Sequence, residues 1–204
     1  MPRISKDPDV RRADIMDASW ELFLAKGFQS VSVGDIMEHL GISKGLFYYY
    51  FKSKDEILDA IVERNTQQGA SYLRGIADSA DLTPVQKLRA FATGGGEPDG
   101  LQETLHQPEN SALHHRSLVR SVQCFAPILA DVIAEGNALG VFHAAQPLET
   151  ARLLLAGALL VFDPETFSLN AQEHMAHLEA LQDLFEHALG AEPGSLEFFR
   201  EIPD

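Results

Sequence analysis

Apolar residues recur at helical spacing along most of the chain, and the alternating pattern of a β-strand is almost absent. Four apolar residues in 10–27 share one helix face: Ile15, Ala18, Leu22 and Phe23. Gly27 is placed to end this first helix with a left-handed cap. The pattern predicts an all-α protein.

Two short helices are predicted next, joined by a tight turn. Ser32 and Asp35 have the spacing of a capping box, and Gly41 stops the helix that follows. After a three-residue turn, Ser43 is a suitable N-cap for a second run over 44–50. Two short helices around a glycine-containing turn are typical of a helix-turn-helix.

Longer helices are predicted downstream. Ser53 and Glu56 form a capping box for a helix to about Ala77. Thr83, Pro84 and Gln86 open a helix over 84–93, and the glycine-rich segment 94–100 is predicted to be a flexible loop. One or two helical turns are predicted over 101–106.

Three further segments complete the helical body. Pro108 is predicted to open a helix that Pro127 kinks or interrupts and that Gly140 ends. The helix 148–162 is apolar nearly all round, which predicts burial on most faces. A last helix, 171–189, has Asn170 and Glu173 at its start and Gly190 at its end, and in the tail Phe198 and Phe199 are expected to dock on the body.

Composition supports a folded protein with uneven charge. Of 204 residues, 45% are hydrophobic and 23% charged, which excludes a mostly disordered chain. The formal net charge is −14, divided as +1 over residues 1–54 and −15 over residues 55–204. A near-neutral N-terminal part is able to approach DNA while an acidic body stays solvated. We therefore expect two domains, 1–54 and 55–204.

The location of the protein is also predicted from composition. No run approaches the length of an uninterrupted apolar membrane span, and the N-terminus lacks a basic-then-apolar leader, so we expect a cytoplasmic protein that does not insert into a membrane. Cys124 is the single cysteine, so no intramolecular disulfide is expected.

The segment 27–54 resembles the DNA-binding segment of TetR-type transcriptional regulators. The likeness rests on the glycine that closes the first helix, on the turn, on the recognition helix and on an aromatic set. The residues that carry it are Gly27, Ser32, Val33, Ile36, Gly41, Ile42, Ser43, Gly45, Tyr48, Tyr50, Phe51 and Lys54.

This resemblance implies a homodimer in which three-helix N-terminal heads insert recognition helices into successive major grooves of a palindromic operator. It also implies a larger C-terminal helical body that binds a small molecule and dimerises through its last two long helices. Ligand binding would then separate the heads and release the DNA. The small residues Ala151, Ala156, Gly157 and Ala158 favour close helix approach across such a dimer over packing within one chain.

Residue chemistry points to DNA contacts in the same segment. Hydroxyls at helix N-termini, lysine charge, a glycine that lets the backbone approach and tyrosine rings are all suited to phosphate or thymine-methyl contact. The candidate DNA-binding residues are Ser32, Ser43, Lys44, Gly45, Tyr48, Tyr49, Tyr50 and Lys54. Leu46 departs from the small polar residue found in many relatives, so one contact is expected to be missing.

Candidates for ligand binding lie in the predicted body: Gln68, Tyr72, His106, His114, Phe125 and Phe162. The histidines, with His174 and His177 at i, i+3 spacing, lack the cysteine pair or dense carboxylate-histidine motif of a metal sensor, so we expect neither a metal nor another cofactor. Cys124 is interpreted as a small core residue and not as an oxidant sensor.

The sequence bears on two other function classes. The sequence carries no nucleophile elbow, Walker loop, dinucleotide fingerprint or HExxH pattern, and the Gly94–Gly96 run follows a helix and not a strand, so an enzyme is not expected. The alternative is a TetR-fold small-molecule-binding or scaffold protein that has lost operator binding. The sequence names neither the ligand nor the regulated genes, and it does not separate a repressor from an activator.

Overall fold

The structure, a computed structural model, describes residues 7–93, 100–164 and 166–201. Nine α-helices and two short 3-10 helices, Pro108–Asn110 and Glu197–Glu201, account for its regular structure, and these described ranges contain no strand. The helices are α1 (Pro8–Lys26), α2 (Val33–Leu40), α3 (Lys44–Tyr50), α4 (Lys54–Ala77), α5 (Pro84–Thr93), α6 (Leu101–Leu105), α7 (Ser111–Ala138), α8 (Pro147–Val161) and α9 (Ala171–Leu189). The predicted all-α fold is confirmed.

Helix ends follow the local signals in the sequence. Capping boxes form at Ser32 with Asp35 and at Asn170 with Glu173. Gly41 and Gly190 adopt φ values of 60° and 59°, which side chains rarely tolerate, and both end their helices with a left-handed cap. The loop predicted over 94–100 falls outside the described residues except for Gly100.

The predicted start of α7 and its interruption at Pro127 are wrong, whereas the alternative of a kink at Pro127 stays a prediction. Residues Pro108–Asn110 form a 3-10 turn, and the α-helix begins at Ser111. It then continues without a break through Pro127. Pro127 is exposed while its neighbours Ala126 and Ile128 are buried, so core packing holds the helix on the side where no proline ring lies.

The chain divides into two compact units. The first contains Met1–Asn65 and Pro98–Leu113, and the second contains Thr66–Glu97 and His114–Asp204. The boundaries therefore fall inside α4 and α7, and α6 groups with the N-terminal helices. The predicted functional division at 54/55 remains a prediction.

The core of the first unit is built by α1 to α4 together with α6. Phe23 and Phe28 meet edge to face with ring centroids 4.9 Å apart. Around them lie fully buried residues from every helix of the unit: Ile15, Ile36, Phe47, Phe51, Ile57, Leu58, Leu101 and Leu105. This core fixes how α2 and α3 sit on α1.

The second unit has a core of its own, formed by α5, α7, α8 and α9. Gly136 in α7 lies directly against the buried Phe142 ring, because a Cβ built on this glycine would lie 2.0 Å from the ring. In the tail, Leu196, Phe198 and Phe199 are buried in the same core. The prediction that the two tail phenylalanines dock is confirmed.

The predicted burial of α8 on most faces is wrong for a single chain. Leu153 is 76% exposed and Leu160 is 45% exposed, and Ala156 and Gly157 lie between them on the same outward face. In α9, Met175 is exposed as well. The periodicity shows that α8 is apolar all round, but it does not show that one chain covers every face.

One segment of the described chain, Pro108–Ala138, is long and apolar enough to cross a membrane by length and composition alone. Its mean hydropathy in the most apolar window is 1.4. Leu113, Leu129 and Ile133 from this segment lie in the protein core, and a core helix passes the same test.

Candidate nucleic-acid interface

The local sequence builds a helix-turn-helix from α2 and α3. Gly41 ends α2 by donating its backbone N–H to the carbonyls of Glu38 and Met37. Two residues later, Ser43 begins α3 by accepting the backbone N–H of Leu46 on its hydroxyl at 3.3 Å. These caps fix the length of the turn and so the direction in which α3 leaves it.

The α3 helix has one face in the core and one in solvent. Phe47 is fully buried, and Phe51, just after the helix, is almost fully buried. On the other side Tyr48 is 47% exposed and Tyr49 is 74% exposed. The helix therefore presents two tyrosine rings outward from a firmly anchored base.

Charge and backbone access accompany these rings. The Lys44 ammonium lies 5.9 Å from the centroid of the Tyr48 ring, at the limit of a cation-π contact. Gly45 is exposed, and a Cβ built there would meet nothing within 4 Å. The first turn of α3 thus combines a cation with backbone that another molecule is able to approach.

Tyr50 differs from the two outward tyrosines. It is half-buried, packs on the core of the first unit and meets Tyr49 edge to face with centroids 4.9 Å apart. Its ring supports Tyr49 from the side. Among the three predicted tyrosines, it is the one with a clear packing role.

Ser32 has its hydroxyl engaged within the capping box. The hydroxyl donates to Asp35 Oδ2 and accepts the backbone N–H of Asp35 at 3.2 Å, while the backbone N–H of Ser32 donates to Asp35 Oδ2 at 2.8 Å. The hydrogen bond from the Ser32 hydroxyl, followed by the one from its backbone, holds the pKa of Asp35 below its ordinary value. A carboxylate thus lies at the N-terminus of α2, beside the hydroxyl predicted to meet phosphate.

The Lys54 side chain makes its contacts within the protein. Its ammonium donates to the carbonyl oxygens of Phe28 at 2.8 Å and Gln29 at 3.2 Å, and it lies 4.5 Å from the centroid of the Phe28 ring. The sequence proposed this lysine as a DNA contact. The structure gives it a joining role between the start of α4 and the loop after α1, which a separation of 26 residues hid from local reasoning.

Among the predicted ligand-binding residues, Gln68 and Tyr72 lie on α4 and are exposed, Tyr72 at 56%. Phe125 is half-buried on α7, and its ring lies 3.4 Å from where a Cβ on Gly69 would be. The neighbouring Cys124 is half-buried and weakly accepts a hydrogen bond from Gln67 Nε2 at 3.9 Å. This part of α4 therefore packs closely on α7 within the second unit.

The second unit also contains a buried polar pair that the sequence did not reveal. His114 Nε2 lies 3.5 Å from Asp163 Oδ1, and both side chains are buried. The Thr166 hydroxyl donates to the other oxygen of Asp163 at 2.6 Å. Next to Asp163, the half-buried Phe162 meets the ring of His174 edge to face. Asp163 was missed because it lies 49 residues beyond His114 in the chain.

His106 belongs to the first compact unit, where it is half-buried just after α6. The six residues proposed for ligand binding thus do not all fall in one compact unit. The remaining five lie on α4, α7 and the end of α8 in the second unit.

Two family models match the chain. Residues 15–61 match the model of bacterial regulatory proteins of the tetR family, and residues 99–184 match the tetracyclin repressor-like C-terminal domain. Together the two matches cover well over half of the chain. The chain belongs to the TetR family.

Sequence relatives are regulators as well. The chain is 35% identical over 108 residues to the uncharacterized HTH-type transcriptional regulator YfiR of Bacillus subtilis, covering 42% of this chain and 53% of that one. It is 27% identical over 91 residues to the HTH-type transcriptional repressor KstR2 of Mycobacterium tuberculosis, covering 45% of each. The chain spans about half the length of these curated relatives.

Solved structures of this family share the fold. A TetR/AcrR regulator from Thermobifida fusca matches 88% of this chain and 96% of its own at 25% identity, with a TM-score of 0.55. A TetR-family regulator from Pectobacterium atrosepticum matches 92% of this chain and 93% of its own at 20% identity, with a TM-score of 0.60. The TetR family consists of DNA-binding transcriptional regulators, which are not enzymes.

Proposed function

We propose that this TetR-family protein is a cytoplasmic, ligand-responsive repressor that binds a palindromic operator as a homodimer and is released by a small molecule. The observation that carries the proposal is the orientation of α3. Phe47 anchors the helix in the core, and Tyr48 and Tyr49 project from its opposite side beside Lys44.

The exposed face of α3 has the chemistry of a DNA contact. A lysine and hydroxyl-bearing rings suit phosphate oxygens, and a tyrosine ring suits a thymine methyl group in the major groove. Ser43, Gly45 and Tyr50 belong to the same contact surface, with Tyr50 supporting its neighbour. Ser32 and Lys54 are assigned to the rim, because their polar atoms are already hydrogen-bonded within the head.

The outward faces of α8 and α9 support a homodimer. Leu153, Ala156, Gly157 and Leu160 form an apolar strip on α8, and Leu184 on α9 is 54% exposed. A strip of leucines and small residues in water is unfavourable, and a second copy of the same strip covers it with matching shape. Two-fold symmetry of the protein then matches a palindromic operator.

Release by a small molecule is assigned to the body. Gln68, Tyr72, His114, Phe125 and Phe162 offer aromatic and polar groups within the second unit, and His106 is a separate candidate in the first. A ligand releases DNA only if it binds the DNA-incompetent arrangement more tightly. The proposed effector is therefore one whose affinity falls when operator DNA is present.

Operator binding is tested by selecting bound sequences from a genomic fragment library with the purified full-length chain, followed by salt titration on the best site. We expect an enriched palindrome whose affinity falls as salt rises. Tyr49→Ala should weaken binding, whereas Tyr72→Ala, a matched loss of an exposed tyrosine on the body, should leave DNA affinity of the ligand-free protein close to wild type.

Lys44→Ala gives a second readout in the same experiment. Removing one phosphate contact should reduce the slope of log affinity against log salt by about one unit per protomer. If no sequence is enriched at any salt concentration, operator binding is contradicted. The scaffold or small-molecule-binding alternative would then take its place.

A further inference from the structure

The C-terminal segment 191–201, called the strap here, turns back along α9. Gly190 ends the helix, and hydrogen bonds then join the strap to the two preceding turns of α9. Residues 194 and 196 of the strap bond to position 186, and residue 200 bonds to position 182. The strap therefore runs antiparallel to α9, and it lies beyond residues 99–184 that match the family's C-terminal domain.

A buried carboxylate anchors the strap. Glu186 is 7% exposed, and its two oxygens accept the backbone N–H groups of Gly194 at 3.0 Å and Leu196 at 3.1 Å. Gln182 Nε2 donates to the same carboxylate at 2.9 Å, and Gln182 Oε1 accepts from Arg200 Nε at 2.9 Å. A buried charge is expensive unless its lone pairs are satisfied, so this network ties the folding of the strap to Glu186.

The energetics of Glu186 agree with this geometry. Burial raises the pKa of Glu186, but the hydrogen bonds from Gly194, Gln182 and Leu196 outweigh it, and the pKa is lowered from its ordinary value. The carboxylate is thus ionised at neutral pH while it holds the strap. The strap in turn places Phe199 4.7 Å from Phe185, measured between ring centroids.

The same turns of α9 carry the outward face assigned to the dimer. Gln182, Phe185, Glu186 and Leu189 point inward to the strap and core, whereas Ala180, Asp183, Leu184 and His187 are exposed. Residues on opposite faces of one helical turn move together, because the helix backbone is stiff. Whatever fixes the inward side also fixes the position of Leu184.

We propose that the strap is a latch, anchored by Glu186, that holds the C-terminal half of α9 in the position required for homodimerisation. This inference rests on the homodimer of the proposed function. The anchor fails if the carboxylate is replaced by an amide, because Glu186→Gln leaves one acceptor oxygen for three donors and turns an NH₂ group toward them.

The test compares full-length Glu186→Gln with wild type. Hydrogen exchange at the amides of Gly194 and Leu196 reports on the latch, and sedimentation over a concentration series reports on the dimer dissociation constant. We expect faster exchange at both amides and a dissociation constant raised by at least about fivefold, the lower end of the cost of an unsatisfied buried group. Glu192→Gln, an exposed strap carboxylate, should change neither value.

Several outcomes would overturn the latch. Strap amides that stay protected in Glu186→Gln would contradict the anchor, and a released strap with an unchanged dissociation constant would contradict its link to the dimer. If Glu186→Gln fails to fold, Arg200→Gln loosens only the far end and should raise the dissociation constant less. A wild-type chain that is monomeric at every concentration would overturn both the latch and the homodimer, whereas the preceding results leave the homodimer standing.

Discussion

Lys54 reaches back across 26 residues to hold the carbonyl oxygen of Phe28 at 2.8 Å, while its ammonium lies over the Phe28 ring. One side chain thus joins the first residue of α4 to the loop that precedes α2. The lysine stabilises the N-terminal part of the protein, because its charged ammonium group donates hydrogen bonds to these backbone carbonyl oxygens.

Replacing this lysine should lower stability even without DNA. Lys54→Met keeps the aliphatic stem but removes the donors, and we expect a loss of about 1–2 kcal/mol in the free energy of unfolding. Urea denaturation of the DNA-free protein measures it. Lys52→Met, an exposed neighbour, is the control and should stay within about 0.5 kcal/mol of wild type. Equal stabilities for both variants would restore Lys54 to a role in DNA contact alone.

Acidification should weaken the N-terminus of α2. The pKa of Asp35 is lowered in the folded protein by its bonds to Ser32, so its contribution is complete above the unfolded value and is lost as pH falls through the folded value. With an ordinary value of 3.8, the loss begins near pH 4 and continues below it. Urea midpoints measured between pH 6 and pH 2.5 should fall less steeply in Asp35→Asn than in wild type.

The control for this measurement is Glu38→Gln, an exposed carboxylate on the same helix. Its pH profile should follow the wild-type profile. A matching profile for Asp35→Asn as well would mean that the capping box contributes no pH dependence.

Leu153, the more exposed of the two outward leucines on α8, should control assembly. Leu153→Arg places a charge in the proposed interface, and we expect the dimer dissociation constant to rise about tenfold or more. Leu139→Arg is matched in chemistry and is 64% exposed, but it lies outside α8 and α9. Sedimentation should show a weakened dimer for the first variant and a normal one for the second. The reverse result would place the interface elsewhere on the protein.

Gly136 should tolerate no side chain. A Cβ at this position would lie 2.0 Å from Cδ2 of Phe142, a rigid ring that is fully buried, so Gly136→Ala should cost about 1–3 kcal/mol. At Gly75 in α4 a Cβ meets nothing within 4 Å, and Gly75→Ala should stabilise by about 0.5–1 kcal/mol. Thermal unfolding of the two variants should therefore shift in opposite directions, and a shared direction would contradict the close approach.

The sequence predicted the features of the fold that depend on residues close together in the chain, such as helix caps. The capping boxes at Ser32 and Asn170 and the cap of α5 at Thr83 involve residues three apart, so their spacing is visible in the chain. The same local signals predicted the helix-turn-helix, and the family resemblance added the expectation that its second helix is the recognition helix. The contacts that sequence reasoning missed join distant positions, such as Lys54 with Phe28, Glu186 with Leu196 and His114 with Asp163.

The overestimated burial of α8 has a different cause. Hydropathy reports what a side chain prefers and not which molecule covers it, so an apolar helix in a dimer and one in a core have the same pattern. Leu153 and Leu160 are equally apolar in both cases. The structure of one chain distinguishes the two cases, because both leucines are exposed to solvent in it.

The first compact unit is discontinuous in sequence, since Leu101, Leu105 and Leu113 complete the core that the chain up to Asn65 begins. On the ribosome, this unit cannot bury all three leucines until the chain has grown past α6 and into α7. The core of the unit that carries α3 is therefore completed only after more than half of the 204 residues have been synthesised. A fragment that ends at Asn65 would lack these three leucines and would have an apolar groove in place of a closed core.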